Sequence, residues 1–226
     1  MTYIHRSLER KFLKMSSAFK AVMVTGARQV GKSTMLKYLA QDTGRTYVSL
    51  DDADIRELAE SDPKLFFQMY QPPILIDEAQ KAPALFEQIK ILCDESDERG
   101  RFWLTGSQSR KMMKQAGDSL AGRIGILKLF SLSAKELEGR PNDIPEDYTL
   151  SSLLVRSRNY PENNIQDVYT RIWEGGMPDM ISMDAELRRE YWNSYIDAYL
   201  MRDAVDDNGI QDTEGFRKLL RACAAF

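Results

Sequence analysis

A nine-residue stretch between an apolar run and a helix-like segment constrains the fold of this chain more than any other feature. The stretch has the pattern G-x-x-x-x-G-K-S, and its residues are Gly26, Ala27, Arg28, Gln29, Val30, Gly31, Lys32, Ser33 and Thr34. A strand, a glycine-containing loop and a helix in this order predict a loop whose backbone N–H groups surround phosphate oxygens. The alternative is a glycine turn that binds nothing. A turn of that kind would not need all of the fixed residues of the pattern, and all of them are present in this sequence.

The residue types in this loop predict contacts to a nucleoside triphosphate and its metal ion. Gly26 and Gly31 allow backbone dihedrals that are closed to other residues, so successive N–H groups can turn inward. The helix that begins at Lys32 directs its positive end at the same place. We expect Lys32 to neutralise the β- and γ-phosphates and Ser33 to hold Mg²⁺.

A second candidate segment is a short apolar run that ends in two acids, Asp77 and Glu78. Such a run predicts a strand that is buried on both faces of a parallel sheet. The carboxyl ends of these strands are where an open α/β sheet places its ligand. We expect Asp77 to lie in the outer shell of Mg²⁺ and Glu78 to polarise the attacking water. The alternative is a pair of solvated loop acids.

Two further residues complete the predicted catalytic set. Ser107 ends a strand that we expect beside the acid-bearing strand, where its hydroxyl could contact the γ-phosphate or the water, although serine is also common in strand-ending turns. Arg123 precedes the fifth predicted strand and is a candidate to offset charge on the γ-phosphate of a neighbouring subunit. The alternatives are that Arg123 caps a helix through Ser119 or pairs with an acid, and Arg28 is a rival closer to the phosphates.

Composition and termini bear on where the protein works. Hydrophobic residues make up 43% and charged residues 29% of the 226 residues, and no run approaches the 18 apolar residues of a membrane span. The first six residues lack the apolar core of a signal peptide. We therefore predict a cytoplasmic protein with no membrane partner. Cys93 and Cys223 have no metal-ligand spacing, so neither zinc nor a disulfide is implied.

Periodicity predicts alternating strands and helices in the first part of the chain and helices afterwards. The predicted strands are 21–25, 46–50, 73–76, 101–108 and 124–130. The predicted helices are 2–18, 32–41, 55–58, 64–69, 83–94, 111–120, 131–136, 150–155, 165–173, 186–202 and 213–225. A loop with Gly and Pro follows at 139–147, so we predict an ATP-binding domain at 1–138 and a helical region at 139–226. Since the chain ends inside an apolar helical pattern, we expect an incomplete C-terminal domain.

The chain resembles a prokaryotic ATPase of the AAA+ superfamily, of the group that pairs an AAA domain with a C-terminal domain of unknown function. The segments that carry the resemblance are 25–33, 76–81, 104–108, 119–123, 175–178 and 195–203. The resemblance implies an α/β P-loop NTPase fold, with a five-stranded parallel sheet flanked by helices and followed by a helical segment. It also implies ATP and Mg²⁺ as ligands, with Lys32, Asp77, Glu78 and Ser107 in the roles given above. The position of Arg123 resembles that of the arginine finger of AAA+ proteins.

Three functions follow as hypotheses. The leading one is a Mg²⁺-dependent ATPase that moves its own C-terminal region or a partner, with a homo-oligomer as a candidate state. The second is a nucleotide-gated binding switch with little turnover. The third is a GTPase, because 133–135 matches a guanine-contacting triplet, although an Asn/Thr-Lys-x-Asp segment is missing. Residues 1–40 carry eight Lys or Arg against one acid, so nucleic acid is a candidate partner. The resemblance implies that nucleic acid would be bound through a region beyond the end of this sequence.

Overall fold

The fold is described by a computed structural model that covers residues 3–107, 119–142, 149–159, 164–200, 205 and 210–225. The strands are β1 (Ala21–Gly26), β2 (Thr46–Ser49), β3 (Ile74–Asp77), β4 (Phe102–Ser107) and β5 (Ile124–Lys128). They form one sheet in the order β2-β3-β4-β1-β5, and every neighbouring pair is parallel. The predicted five-stranded parallel sheet is confirmed.

Helices flank the sheet and make up most of the described residues after β5. They are α1 (Glu9–Ser16), α2 (Lys32–Ala40), α3 (Ala53–Ser61), α4 (Pro63–Met69), α5 (Ala84–Asp94), α6 (Ala134–Leu137), α7 (Leu150–Asn159), α8 (Ile165–Glu174), α9 (Ala185–Tyr195) and α10 (Thr213–Ala225). A π-helical turn, Ile196–Leu200, continues α9. The helix predicted at 111–120 lies mostly outside the described residues. No helix in the described ranges is both long and apolar enough to cross a membrane.

The apolar strands form a sheet that is buried on both faces. All residues of β1 and β3 are buried. Alternate residues enter two core clusters, with Met23 and Ile76 in one and Val24 and Leu75 in the other. Because the strands are parallel, the carboxyl ends of β1, β3 and β4 lie at the same edge, and Gly26 is opposite Ser107 there. This edge brings the predicted loop and the predicted acids together.

Two predicted helix starts are wrong, and side-chain acceptors explain both. The first helix begins at Glu9 rather than at residue 2, since the Glu9 carboxylate accepts hydrogen bonds from the Tyr3 hydroxyl and the Arg6 N–H, at 2.8 and 2.6 Å. Pro63 is the first residue of α4 rather than a break between two helices. The break lies at Asp62, whose side chain caps α4 by accepting the N–H of Leu65 at 2.9 Å.

Part of the predicted helical region packs against the sheet. Met177 and Met180 lie in the same core cluster as Val24. The N–H of Leu132 donates to the carbonyl of Gly176 at 2.7 Å, and a Cβ at Gly176 would lie 2.3 Å from the Leu132 carbonyl oxygen. Only glycine therefore fits at this contact. The domain boundary at residue 139 stays a prediction.

Candidate nucleotide-binding site

The loop between β1 and α2 has the backbone geometry that phosphate binding needs. Gly26, Gln29 and Gly31 have positive φ angles of 151°, 61° and 91°. A Cβ at Gly26 would lie 2.2 Å from the carbonyl oxygen of Leu129, so no larger residue fits. Gly31 is the N-cap of α2, so the N–H groups of the first helical turn, which have no intrahelical acceptor, lie next to the loop. The loop and the N-terminus of α2 together form a concave surface of backbone N–H donors that can bind an anion.

The Lys32 ammonium lies inside this loop. Its Nζ donates to the carbonyl oxygens of Ala27 and Gly26 at 2.8 and 3.2 Å, and the residue is only 5% exposed. These contacts hold the ammonium inside the loop, next to the N-terminus of α2, where the charge of a bound phosphate would lie. The ammonium is therefore suited to an anionic ligand in the loop.

Three hydroxyl groups converge on the carboxylate of Asp77, which ends β3 and is buried. Ser33 in α2 donates to its Oδ1 at 2.5 Å, and Thr105 in β4 donates to the same oxygen. Tyr47 in β2 donates to its Oδ2 at 3.0 Å. The predicted pair, Ser33 and Asp77, therefore lies in direct contact. Its oxygen donors are of the type that Mg²⁺ prefers, so these residues fit the metal that the fold implies.

Glu78 is held in a defined orientation beside Asp77. Its backbone is left-handed, with φ of 57° and ψ of 44°, which is costly for a residue with a side chain and is found mostly at functional sites. Its N–H donates to Thr105 Oγ1 at 3.0 Å. Its carboxylate accepts a hydrogen bond from the amide nitrogen of Gln80. Thr105 thus connects both acids to β4.

Sequence reasoning missed Thr105, Tyr47 and Gln80 as residues of this site. Thr105 and Gln80 both stand inside segments that carry the family resemblance, but a role was assigned only to their neighbours. Tyr47 has no local signal, because only the pairing of β2 with β3 brings it to Asp77.

The structure places Ser107 at the site and Arg123 far from it. Ser107 is the last residue of β4 and pairs with Gly26, while its side chain lies outside the described part of the structure. Arg123 precedes β5, and its carbonyl accepts the N–H of Ala21, the first residue of β1, at 3.1 Å. Gly26 lies five residue steps of about 3.3 Å along β1 from Ala21, so the backbone of Arg123 lies roughly 16 Å from its own phosphate loop.

Arg123 forms a two-pronged ion pair with Asp94. Its Nε and Nη2 lie 2.6 and 3.0 Å from the two carboxylate oxygens. The hydrogen bonds and charge of Arg123 lower the pKa of the Asp94 carboxyl. Pairing with an acid was one of the alternatives for Arg123, and a role at its own nucleotide is incompatible with its position.

Two tyrosines of α9 contact the phosphate loop. The Tyr191 hydroxyl donates to the side-chain oxygen of Gln29 at 2.6 Å, and the Tyr195 hydroxyl donates to the Arg28 carbonyl at 3.3 Å. These contacts join the helical region to the loop across more than 160 residues of sequence. The sequence indicated no such contact.

A parallel sheet with β1 between β4 and β5, a glycine loop that leads into a helix, and a buried lysine beside a Ser–Asp pair define a P-loop nucleoside triphosphatase. The sequence matches the AAA domain family over residues 18–138, which is more than half of the chain, and the protein belongs to that family. Residues 165–226 match a family described as a domain of unknown function. The predicted combination of an AAA domain with a C-terminal domain of unknown function is confirmed.

Similar proteins include two curated relatives and two solved structures. The uncharacterized proteins Rv2008c of Mycobacterium tuberculosis and Mb2031c of Mycobacterium bovis are each 28% identical over 185 residues, which cover 80% of this chain and 35% of each relative. The chain thus spans about a third of the length of these relatives. The structure of a Walker-type ATPase of Pyrococcus abyssi matches with a TM-score of 0.46 and 14% identity, over 97% of this chain and 76% of that chain. A structure of Pif1 helicases on forked DNA matches with a TM-score of 0.35 and 15% identity, over 70% of this chain and 52% of that chain.

Proposed function

We propose that this protein is a Mg²⁺-dependent ATPase whose catalytic cycle moves its helical region or a partner. The observation that carries the proposal is the convergence of Lys32, the Ser33–Asp77 pair and Glu78 at one edge of the sheet. Each of these groups has a separate chemical task in phosphoryl transfer. No single one of them would define an enzyme.

Binding of the triphosphate depends on the loop and on Lys32. The backbone N–H groups of the loop and the first turn of α2 donate to phosphate oxygens, and the Lys32 ammonium compensates their charge. Ser33 and Asp77 would hold Mg²⁺, which supplies charge neutralisation at the β- and γ-phosphate oxygens when it is bound. Thr105 and Tyr47 keep the Asp77 carboxylate in one orientation.

Hydrolysis depends on Glu78. A carboxylate beside the bound phosphates can accept a proton from water as the water attacks, which is general base catalysis. Gln80 donates to this carboxylate and Thr105 holds the backbone N–H of the same residue. Both contacts limit the motion of the base, and a fixed base is more effective because less ordering is needed at the moment of reaction.

The proposal is tested by single-turnover hydrolysis of labelled ATP with Mg²⁺ and with excess EDTA. We expect ATP to be converted to ADP and phosphate only with Mg²⁺, and Asp77→Asn to raise the Mg²⁺ concentration that is required. ATP that stays bound and intact under all conditions would instead support the nucleotide-gated switch. Competition by GTP in the same assay decides between ATPase and GTPase.

Coupling to the helical region would run through Tyr191 and Tyr195. ATP in the loop changes the surroundings of Gln29 and Arg28, so we expect it to change hydrogen exchange in α9. The double variant Tyr191→Phe and Tyr195→Phe keeps both rings and removes both hydroxyl contacts, and it should bind ATP without this change. Tyr169→Phe in α8 is the control, since Tyr169 is 66% exposed. An ATP response of α9 that survives the double variant would contradict this coupling route.

A switch with little turnover is favoured by one observation, the distance of Arg123 from its own loop. If an arginine must be supplied by a second copy, an isolated subunit holds an incomplete site. Arg123→Ala should then bind ATP normally and hydrolyse it slowly. The specific activity of the parent should rise with protein concentration, and a mixture of Arg123→Ala with Glu78→Gln should recover activity. Activity that is independent of concentration, with no recovery on mixing, would restrict Arg123 to its pair with Asp94.

Nucleic acid stays a candidate partner of the proposed ATPase or switch. Its support is the basic segment at 1–40, part of which serves the nucleotide site. Filter binding across a salt series measures this interaction, because phosphate contacts release counterions and make affinity fall steeply with salt.

A further inference from the structure

A buried ion pair lies directly behind the phosphate loop. Arg6 and Glu136 are 4% and 5% exposed, and Arg6 Nε lies 3.2 Å from Glu136 Oε1. The same guanidinium donates from Nη1 to the Val30 carbonyl at 2.8 Å and from Nη2 to the Phe130 carbonyl at 2.6 Å. Arg6 therefore connects three distant parts of the chain: the loop, the segment after β5 and helix α6.

Glu136 is held as firmly as its partner. Its Oε1 accepts the N–H of Ser7 and its Oε2 accepts the N–H of Ser133, both at 2.7 Å. Burial raises the pKa of the Glu136 carboxyl, but the N–H donors of Ser133 and Ser7 and the charge of Arg6 outweigh burial, so the pKa is lowered. The carboxylate thus stays charged opposite Arg6.

Removing two charges from water is costly, and a hydrophobic pair would often serve stability as well. The buried ion pair of Arg6 and Glu136 is therefore better explained by a need for defined geometry than by a gain in stability.

The contact with Val30 determines how the next peptide N–H is directed. In a trans peptide the carbonyl and the N–H of one peptide unit point in opposite directions. Because Arg6 holds the Val30 carbonyl on its own side, the N–H of Gly31 faces the opposite side of the loop. A Cβ at Gly31 would lie 3.4 Å from Arg6 Nη1, so the guanidinium packs directly against the loop backbone.

We propose that Arg6 is a positioning residue of the nucleotide site, which holds the phosphate loop in its binding conformation through the Val30 carbonyl, while Glu136 fixes the guanidinium. The arginine guanidinium carries donors on three nitrogens of one rigid plane and so reaches three separate acceptors, whereas the three donors of lysine share one nitrogen at the end of a flexible chain. The inference rests on the proposed binding of ATP at the loop.

The chain offers a matched control in Arg45. This partly buried arginine donates from Nη1 to the carbonyls of Ile74 and Arg101 at 3.3 and 3.0 Å and lies over the ring of Trp103. Its acceptors are at the amino ends of β3 and β4, far from the loop. Arg45→Lys should lower the melting temperature without changing the Kd for ATP.

The first measurement is calorimetric titration of the folded proteins with MgATP. Arg6→Lys should raise the Kd at least about tenfold, the scale of one lost hydrogen bond to a charged group. Glu136→Gln keeps the shape of the side chain and should raise the Kd less, and it provides the test if Arg6→Lys does not fold. Folded Arg6→Lys or Glu136→Gln with the parent Kd would overturn the proposal, because a purely structural role would lower only the melting temperature.

The second measurement is hydrogen exchange of loop peptides without nucleotide. Arg6→Lys and Glu136→Gln should accelerate exchange at 27–31, and Arg45→Lys should not. This result does not depend on ATP binding. If the parent binds no ATP, the proposed function fails, and unchanged exchange in the variants would separately overturn the role of Arg6.

Discussion

Lys32→Ala is expected to abolish ATP binding or to weaken it by about 10²-fold or more. The Lys32 ammonium lies 2.8 and 3.2 Å from two loop carbonyls, and the residue is buried. Loss of its charged hydrogen bonds to phosphate oxygens, at about 1.5–3 kcal/mol each, accounts for the size of the effect. The fold should persist, because Lys32 belongs to neither of the two core clusters. Calorimetric titration with MgATP measures the change.

Lys20→Ala is the matched control for this experiment. Lys20 is also largely buried and donates to a backbone carbonyl, that of Cys93, at 2.8 Å. It precedes β1 at the opposite end of the sheet, so its loss should leave the Kd for ATP unchanged. If Lys32→Ala bound ATP as tightly as the parent, the assignment of 26–34 as a phosphate-binding loop would be wrong.

Glu78→Gln is expected to separate binding from chemistry. The glutamine has the same shape, and its side-chain oxygen can still accept the hydrogen bond from Gln80, but it cannot take a proton from water. ATP should therefore bind with the parent affinity, while single-turnover hydrolysis falls by about 10²-fold or more, the scale of general base catalysis. The backbone contact of Glu78 with Thr105 does not involve the substituted group, so the loop geometry is preserved.

Glu87→Gln is the control, since Glu87 lies on α5 with a 65% exposed side chain. It should hydrolyse ATP at the parent rate. Parent-like turnover by Glu78→Gln would mean that another group accepts the proton. Loss of ATP binding by Glu78→Gln would instead show that the carboxylate acts in binding.

Arg123 shows what the tertiary structure adds to a sequence pattern. Its place before the fifth predicted strand suggested a role at the nucleotide of a neighbouring subunit, and the structure puts it at the amino end of β5, beside Ala21. The sequence left open which group Arg123 pairs with, because such a contact depends on the packing of the whole sheet. The pair with Asp94 joins two elements that are 29 residues apart. Whether Arg123 serves a neighbouring subunit stays a prediction.

The sequence by itself determined the elements of the site that depend on local chemistry. Glycine is favoured where φ is positive and required where the backbone leaves no room for a Cβ, as at Gly26, and a short apolar run before two acids indicates a buried strand. These features follow from the conformational limits of single residues and from burial of short segments. They are readable without knowledge of the rest of the chain.

Only the tertiary structure decided which residues support those elements. Tyr47 and Thr105 reach Asp77 because β2 and β4 flank β3, and Arg6 reaches Val30 and Glu136 across 24 and 130 residues. Such contacts arise when the sheet order brings distant segments together, and the residues involved carry no periodic signal of their own. Local sequence thus specifies the groups that contact a nucleotide, whereas long-range packing specifies the groups that hold them in place.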